Sequence, residues 1–261
     1  MKFRLLMTGC AVLTFCPMLC GQSALVLVGG GRLPAEVTDA FIDLAGGSES
    51  KIVIIPTASQ SADRSDHDPS LDLWKERGAG TVTRLHTRSR VEADSAAFTA
   101  PLRSATGVWF SGGSQSRITE AYLGTGVELE LKALLERGGV IGGSSAGAAI
   151  MSKVMITGGN PEAKTGEGFG FLPHAVVDQH FLRRNRVNRL LGVLRKHKTS
   201  VGVGIDEGTA LIRVGDELRV VGDSYVTVLM LQPDGLPVRV EVLKPGDKAS
   251  LSEWAPRAVD Q

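Results

Sequence analysis

Two serines stand side by side in the stretch VIGGSSAGAAIM, residues 140–151. An apolar run enters two glycines, passes Ser144 and Ser145, and leaves through small residues that read as the start of a helix. A serine at a strand-to-helix corner is the setting of a nucleophile elbow. The tight turn strains the backbone, and residues two places on either side must be very small or they collide across it. Gly143 and Gly147 meet that demand around Ser145, whereas the frame centred on Ser144 has Gly142 but Ala146. Ser145 is therefore the candidate nucleophile and Ser144 a spacer. The corner also puts Ser145 at a helix start, where free backbone N–H groups stabilise an oxyanion. The competing reading is a tight strand–helix connection with a serine that only caps the helix.

A nucleophilic serine needs a base, and the chain has five histidines. His67 sits in the polar loop SDHDPS, as a solvated side chain or a metal ligand. His86 ends a strand, His174 follows Pro173 in a turn, and His197 belongs to a basic helix end. His180 differs: AVVDQHF brings it off the C-terminal end of a buried strand, where ligands and catalytic groups gather in open α/β sheets. The bland alternative is a histidine satisfied by neighbouring backbone. Beyond it runs HFLRRNRVNRLLGVLRKHK, the only dense basic stretch, which reads first as a solvated helix face. Arg184, Arg186 and Arg189 lie close enough to His180 to reach a site there, where guanidinium groups would grip a carboxylate-bearing substrate.

Nothing global points to nucleic acid or anionic membranes, because the formal net charge is only +1. Hydrophobic content of 43% with 22% charge is that of a globular chain. The first residues differ from the rest. Lys2 and Arg4 precede an apolar run from Leu5 to Leu19, interrupted by Pro17, and small polar residues follow. That pattern predicts a secretory signal over residues 1–23, cleaved after Ser23, and hence a secreted or periplasmic protein. Cys10 and Cys20 leave lipid attachment as an alternative. All three cysteines (Cys10, Cys16 and Cys20) lie in this leader, so a chain cut there carries no disulfide, cysteine nucleophile or thiolate zinc site.

From Leu25 onward, buried-type strands alternate with amphipathic helices. ALVLVGGG, KIVIIPTAS, TVTRLH, GVWFSGG and VIGG read as strands; AEVTDAFIDLAGG (opened by Pro34), LDLWKERG, SQSRITEAYLG and VELELKALLERGG read as helices. Continuous apolar strands separated by helices predict a mainly parallel sheet covered on both faces, a three-layer α/β/α architecture. After Ser200 strands follow at short intervals, with Gly215-Asp216 and Gly222-Asp223 as hairpin turns, so this end reads as antiparallel. Residues 24–261 read as one domain.

Taken in order, GGGRLP, IPTAS, FSGGSQSRI, Gly143-x-Ser145-Ala-Gly147, DQHF with spaced arginines, and GIDEGTALI resemble the cyanophycinase branch of peptidase family S51, the group that also holds the aspartyl dipeptidases called peptidase E. The resemblance covers essentially all of residues 24–261. It implies a serine exopeptidase on a sheet like that of the class I glutamine amidotransferases, acting without metal or cofactor on the β-aspartyl-arginine linkages of cyanophycin to release β-Asp-Arg dipeptides. It assigns the nucleophile to Ser145, the base to His180 and oxyanion donors to the amides of Gly113 and Ala146. Substrate binding falls to Gln115, Asp178, Gln179, Arg184, Arg186 and Arg189, and a homodimer is the expected assembly. The triad acid is placed in the loop GGNPEAKTGEGFGF, with Glu162 the best match and Glu167 its competitor; Asp206 and Glu207 are left as pocket carboxylates.

The chain departs from the family where Gly-Gly-Asp-Gln becomes Gly112-Gly113-Ser114-Gln115, and where Ser144 replaces a common threonine. Two rival functions remain at this stage. One is a peptidase E-like aspartyl dipeptidase or other serine hydrolase; the other is a secreted binding protein that keeps the fold without turnover.

Overall fold

A computed structural model describes residues 22–64, 70–172, 174–199, 201–232 and 236–254. Most of the expected export signal, and His67, lie outside the described residues. The strands are β1 (Ala24–Val28), β2 (Lys51–Ile55), β3 (Thr81–Arg84), β4 (Gly107–Phe110), β5 (Val140–Ser144), β6 (Val154–Gly158), β7 (Lys164–Glu167), β8 (Ala175–Gln179), β9 (Val201–Ile205), β10 (Thr209–Val214), β11 (Glu217–Gly222), β12 (Val226–Met230), β13 (Arg239–Leu243) and β14 (Lys248–Ser250).

Eight of them form one sheet in the order β14-β11-β10-β1-β5-β4-β2-β3. The five N-terminal strands pair in parallel, and β10, β11 and β14 continue the sheet antiparallel. Side chains alternate between two buried faces, which explains why the central strands β1, β4 and β5 carry no charged residue. Along β1, Leu25 and Leu27 enter one core while Ala24, Val26 and Val28 enter another on the opposite face. Helix Ala35–Leu44 closes the second face with Val37, Phe41 and Ile42. Helices Gln115–Tyr122 and Gly126–Glu136 close the first with Ile118, Tyr122, Leu131 and Leu134. The three-layer α/β/α reading, parallel first and antiparallel towards the C-terminus, describes this arrangement.

Three details differ from the sequence reading. The strand carrying DQ before His180 is not in the large sheet: β8 pairs in parallel with β9, in a second sheet ordered β13-β12-β9-β8. That sheet packs one face into the main core through Val177, Val203 and Val228, and the other under helix Val187–His197 through Val176, Leu190 and Leu229. Gly222-Asp223 is therefore not a hairpin turn but the crossing from β11 in one sheet to β12 in the other, whereas Gly215-Asp216 does join the hairpin β10–β11. Third, the segment expected to be an irregular acid-bearing loop is the antiparallel hairpin β6–β7.

Candidate active site

The register of the large sheet brings β5 between β1 and β4, and its C-terminal end delivers Ser145. Ser145 has φ 53° and ψ −103°, a left-handed backbone that costs a non-glycine residue about 1–3 kcal/mol and persists only where its surroundings fix it. Its N–H donates to the Val28 carbonyl at 2.9 Å, tying the corner to β1. The small neighbours have separate reasons to be small. A Cβ on Gly143 would lie 2.6 Å from the Gly147 carbonyl carbon, and one on Gly147 would lie 2.3 Å from the Phe110 oxygen. Gly142 faces the other way, where a Cβ would meet the Trp109 ring at 2.6 Å.

His180 follows β8, also with positive φ (49°), and its N–H donates to Gly29 at 2.7 Å. The imidazole rests on Gly30: a Cβ there would stand 2.3 Å from His180 Cε1. The glycine run after β1 is thus the floor of the histidine. His180 Nε2 lies 2.9 Å from Ser145 Oγ, and its Nδ1 lies 2.6 Å from Glu207 Oε1. A carboxylate only accepts, so Nδ1 carries the ring proton and Nε2 is left to take the serine proton.

The carboxylate on His180 is therefore Glu207, not Glu162. Glu162 is exposed in the turn between β6 and β7, and Glu167 pairs with Lys153 on the same hairpin. Glu207 reaches the imidazole through the parallel pairing of β8 with β9, which neither strand's own residues announce. Gln179 pairs with Ile205, so the residues that follow each strand emerge side by side. Asp206, its neighbour, is committed elsewhere: it accepts from Arg183 N at 2.9 Å and from Ser224 Oγ at 3.0 Å.

Burial is the largest influence on the His180 pKa and lowers it from 6.5; the Glu207 hydrogen bond raises it, and Arg184 and Arg186 lower it further. The histidine is active as a base only when neutral, so activity should be lost as pH falls through this lowered value. The acid limb of the kcat/KM–pH profile is expected below 6.5, and a limb at or above it would contradict the assignment.

Beside the serine opens a cleft of about 390 Å³ lined by Gly113, Gln115, Thr157, Gln179 and three arginines, Arg184, Arg186 and Arg189. Arg184 is exposed at the rim. Arg186 is buried; it donates to the Gln179 carbonyl at 2.5 Å and to Gln179 Oε1 at 2.9 Å, while its Nε has no partner. Burial, reinforced by Arg189, pulls the Arg186 guanidinium down to about 10. Asp178 does not open into the cleft. Its fully buried carboxylate takes Arg189 Nε at 2.8 Å and Arg189 Nη2, with Arg186 Nη1 at 3.7 Å. It acts on the cleft by fixing these arginines. Gln115 donates to the Ile156 carbonyl at 2.5 Å, joining the cleft wall to β6. Gly113 and Ala146 flank the serine: Ala146 opens a short helix, so its amide has no intrahelical acceptor. Gly112 packs beside Ser145, where a Cβ would lie 3.6 Å from the serine Cβ.

The model of peptidase family S51 matches residues 25–221. Cyanophycinase from Geminocystis herdmanii (strain PCC 6308) is 31% identical over 220 residues, covering 80% of both chains. Cyanophycinase from Synechococcus elongatus is 34% identical over 225 residues, covering 80% of this chain and 69% of that one. Among solved structures, a peptidase from an acI-B1 Actinobacterium superposes with a TM-score of 0.67 at 28% identity, covering 88% of this chain and 97% of that one. A putative Peptidase E protein from Listeria monocytogenes EGD-e gives 0.52 at 18% identity, covering 78% of this chain and 100% of that one, and supports the fold alone.

Proposed function

The chain belongs to peptidase family S51 and is a serine-type, cyanophycinase-like peptidase; from that premise we propose that it releases β-Asp-Arg dipeptides from cyanophycin through Ser145, His180 and Glu207. The observation that carries the reading is the continuous chain Ser145 Oγ–His180 Nε2–Nδ1–Glu207 at 2.9 and 2.6 Å, opening on a cleft with three arginines. Glu207 takes the role expected of Glu162.

A dipeptide that leaves with its β-linkage intact defines which bond is cut. The isopeptide survives inside the product, so the scissile bond is the α-amide joining one β-Asp-Arg unit to the next. The expectation, drawn from the resemblance, of a cut at the β-aspartyl-arginine linkage itself is corrected on this ground. His180 takes the Ser145 proton as Oγ adds to the α-carbonyl, and the Gly113 and Ala146 amides hold the oxyanion. His180 then gives that proton to the departing α-amine, and the C–N bond breaks to leave an acyl-serine. Water, deprotonated by His180, adds to the ester and frees the serine. Glu207 holds the imidazole in its Nδ1–H tautomer and offsets the imidazolium charge. Arg184 and Arg186 bind the free carboxylates of the terminal unit, with Gln115 and Gln179 beside them.

The same proposal includes export by residues 1–23, supported by Lys2 and Arg4 ahead of the apolar run, and a homodimer. The latter is supported by the exposed Val240 and Val242 on β13, at the edge of the second sheet.

Mass spectrometry of the products from cyanophycin tests the reaction. β-Asp-Arg is the expected product, absent with Ser145→Ala. Free arginine would move the cut to the isopeptide bond. Serine-dependent cleavage of α-aspartyl dipeptides with no action on polymer would place the chain with the aspartyl dipeptidases. Inertness towards both would favour a binding protein.

A further inference from the structure

Away from the serine, the ends of β2 and β3 carry a closed polar network with no part in proton transfer. Thr57 is wholly buried; its Oγ1 lies 2.8 Å from His86 Nδ1 and 2.7 Å from the Tyr122 hydroxyl. The Asp63 carboxylate only accepts, so the neutral His86 ring carries its proton on Nε2, its Nδ1 accepts from Thr57, and the Tyr122 hydroxyl, which accepts from Thr87 N at 3.1 Å, donates to Thr57. His86 then donates from Nε2 to Asp63 Oδ1 at 2.8 Å. Asp63 also receives Arg88 Nε and Nη2 at 3.1–3.3 Å. The same guanidinium fork also closes on the main chain: Nη1 donates to the Thr57 carbonyl at 2.5 Å, and Nη2, shared with Asp63, donates to the Ser59 carbonyl at 2.8 Å.

Two carbonyls clamped on either side leave the one between them, that of Ala58, fixed in direction. Ala58 oxygen accepts from Ser114 N at 3.0 Å and from Arg117 Nη1 at 3.0 Å. Gly113 is pressed so close to it that a Cβ would lie 2.3 Å from that oxygen. Gly112 in the same turn lies beside the serine corner, where an added Cβ would stand 3.6 Å from Ser145 Cβ. A contiguous path therefore runs from the Arg88 fork through Ala58 to the turn that presents the Gly113 amide.

We propose that Arg88, held by Asp63, which His86 in turn anchors, is a positioning residue for the oxyanion turn: it sets the Ala58 carbonyl on which Gly112–Ser114 is seated. The inference rests on reading the Gly113 amide as an oxyanion donor. Removing such a donor costs about 10²–10³ in rate, and misplacing a reacting group by ~1 Å costs about 10². Arg88→Lys keeps the charge but cannot span both carbonyls. It is expected to lower kcat about 10- to 100-fold with KM changed less than about 2-fold.

The deciding readout is the rate at which a fluorophosphonate modifies Ser145, which develops charge on a phosphoryl oxygen in the same hole and is independent of the natural substrate. Arg88→Lys should slow it in parallel with kcat, with a melting temperature within about 5 °C of the parent. Asp63→Asn, on an exposed carboxylate, should slow it by a smaller factor and serves if Arg88→Lys does not fold. If the parent protein is not modified at all, the catalytic reading fails. If it is, and both variants react at the parental rate or lose reactivity only in proportion to unfolded protein, the positioning role alone is overturned.

Discussion

Glu207→Gln should reduce kcat by about 10³- to 10⁴-fold, while Glu162→Gln leaves it within about 2-fold. The glutamine matches the carboxylate in size but presents an uncharged amide, which either accepts the Nδ1 proton more weakly through Oε1 or donates towards that nitrogen through Nε2. In the second case the imidazole must carry its proton on Nε2, facing Ser145 Oγ, and the base is lost. The imidazolium formed in the transition state also loses its nearby negative charge. A second signature separates this from misfolding. The Glu207 hydrogen bond is the leading influence raising the His180 pKa against burial, so the acid limb of the residual activity should move to lower pH. A Glu207→Gln enzyme with near-parental kcat, together with a crippled Glu162→Gln enzyme, would return the acid to the β6–β7 hairpin.

Asp178→Asn should destabilise the protein by about 3–5 kcal/mol, among the largest single effects in the molecule. Its carboxylate is fully buried and is the anion for Arg189 and, at 3.7 Å, for Arg186. Neutralising it leaves two buried guanidiniums uncompensated, one of which already has an unpartnered Nε. Arg189 also donates to the Gly159 carbonyl at 2.6 Å, so the loss should spread to the β6–β7 hairpin that walls the cleft. Urea unfolding measures the effect. The pair Asp178→Asn with Arg189→Met should be less destabilised than the sum of the single changes, because it removes one of the two guanidiniums that Asp178→Asn alone leaves uncompensated. Strict additivity would show that the pair does not act as a unit.

The serine corner was legible because its constraint is local: Gly143, Ser145 and Gly147 are fixed by one turn and their spacing states the geometry. The parallel core was legible for a related reason, since strands buried on both faces must be apolar at every position, as β1 and β4 are. Glu207 was not, because its place depends on β8 and β9 forming a sheet of their own, and nothing in either strand says which sheet it joins. The hairpin β6–β7 was hidden for a further reason. Its second strand, Lys-Thr-Gly-Glu, is largely exposed and has no apolar alternation to reveal it. Helices Arg90–Ala93 and Ala96–Ser104 were also missed, the second masked by Pro101 in its interior. Ser89 three residues before Glu92, whose amide it caps at 3.3 Å, was the available sign. Arg189 illustrates the limit of reading a basic run as a solvated face: it is 3% exposed, with its charge met by the buried Asp178 and its Nη1 by the Gly159 carbonyl.

The central claim is that Ser145, and no other hydroxyl, is the nucleophile that His180 activates. The most direct measurement is the site of fluorophosphonate modification, read by intact mass and then by peptide mapping. One phosphonyl group per chain on Ser145, absent in Ser145→Ala and strongly slowed in His180→Ala, is the predicted result. Modification at Ser144 or elsewhere, or an unmodified protein that still cleaves its substrate, would contradict it.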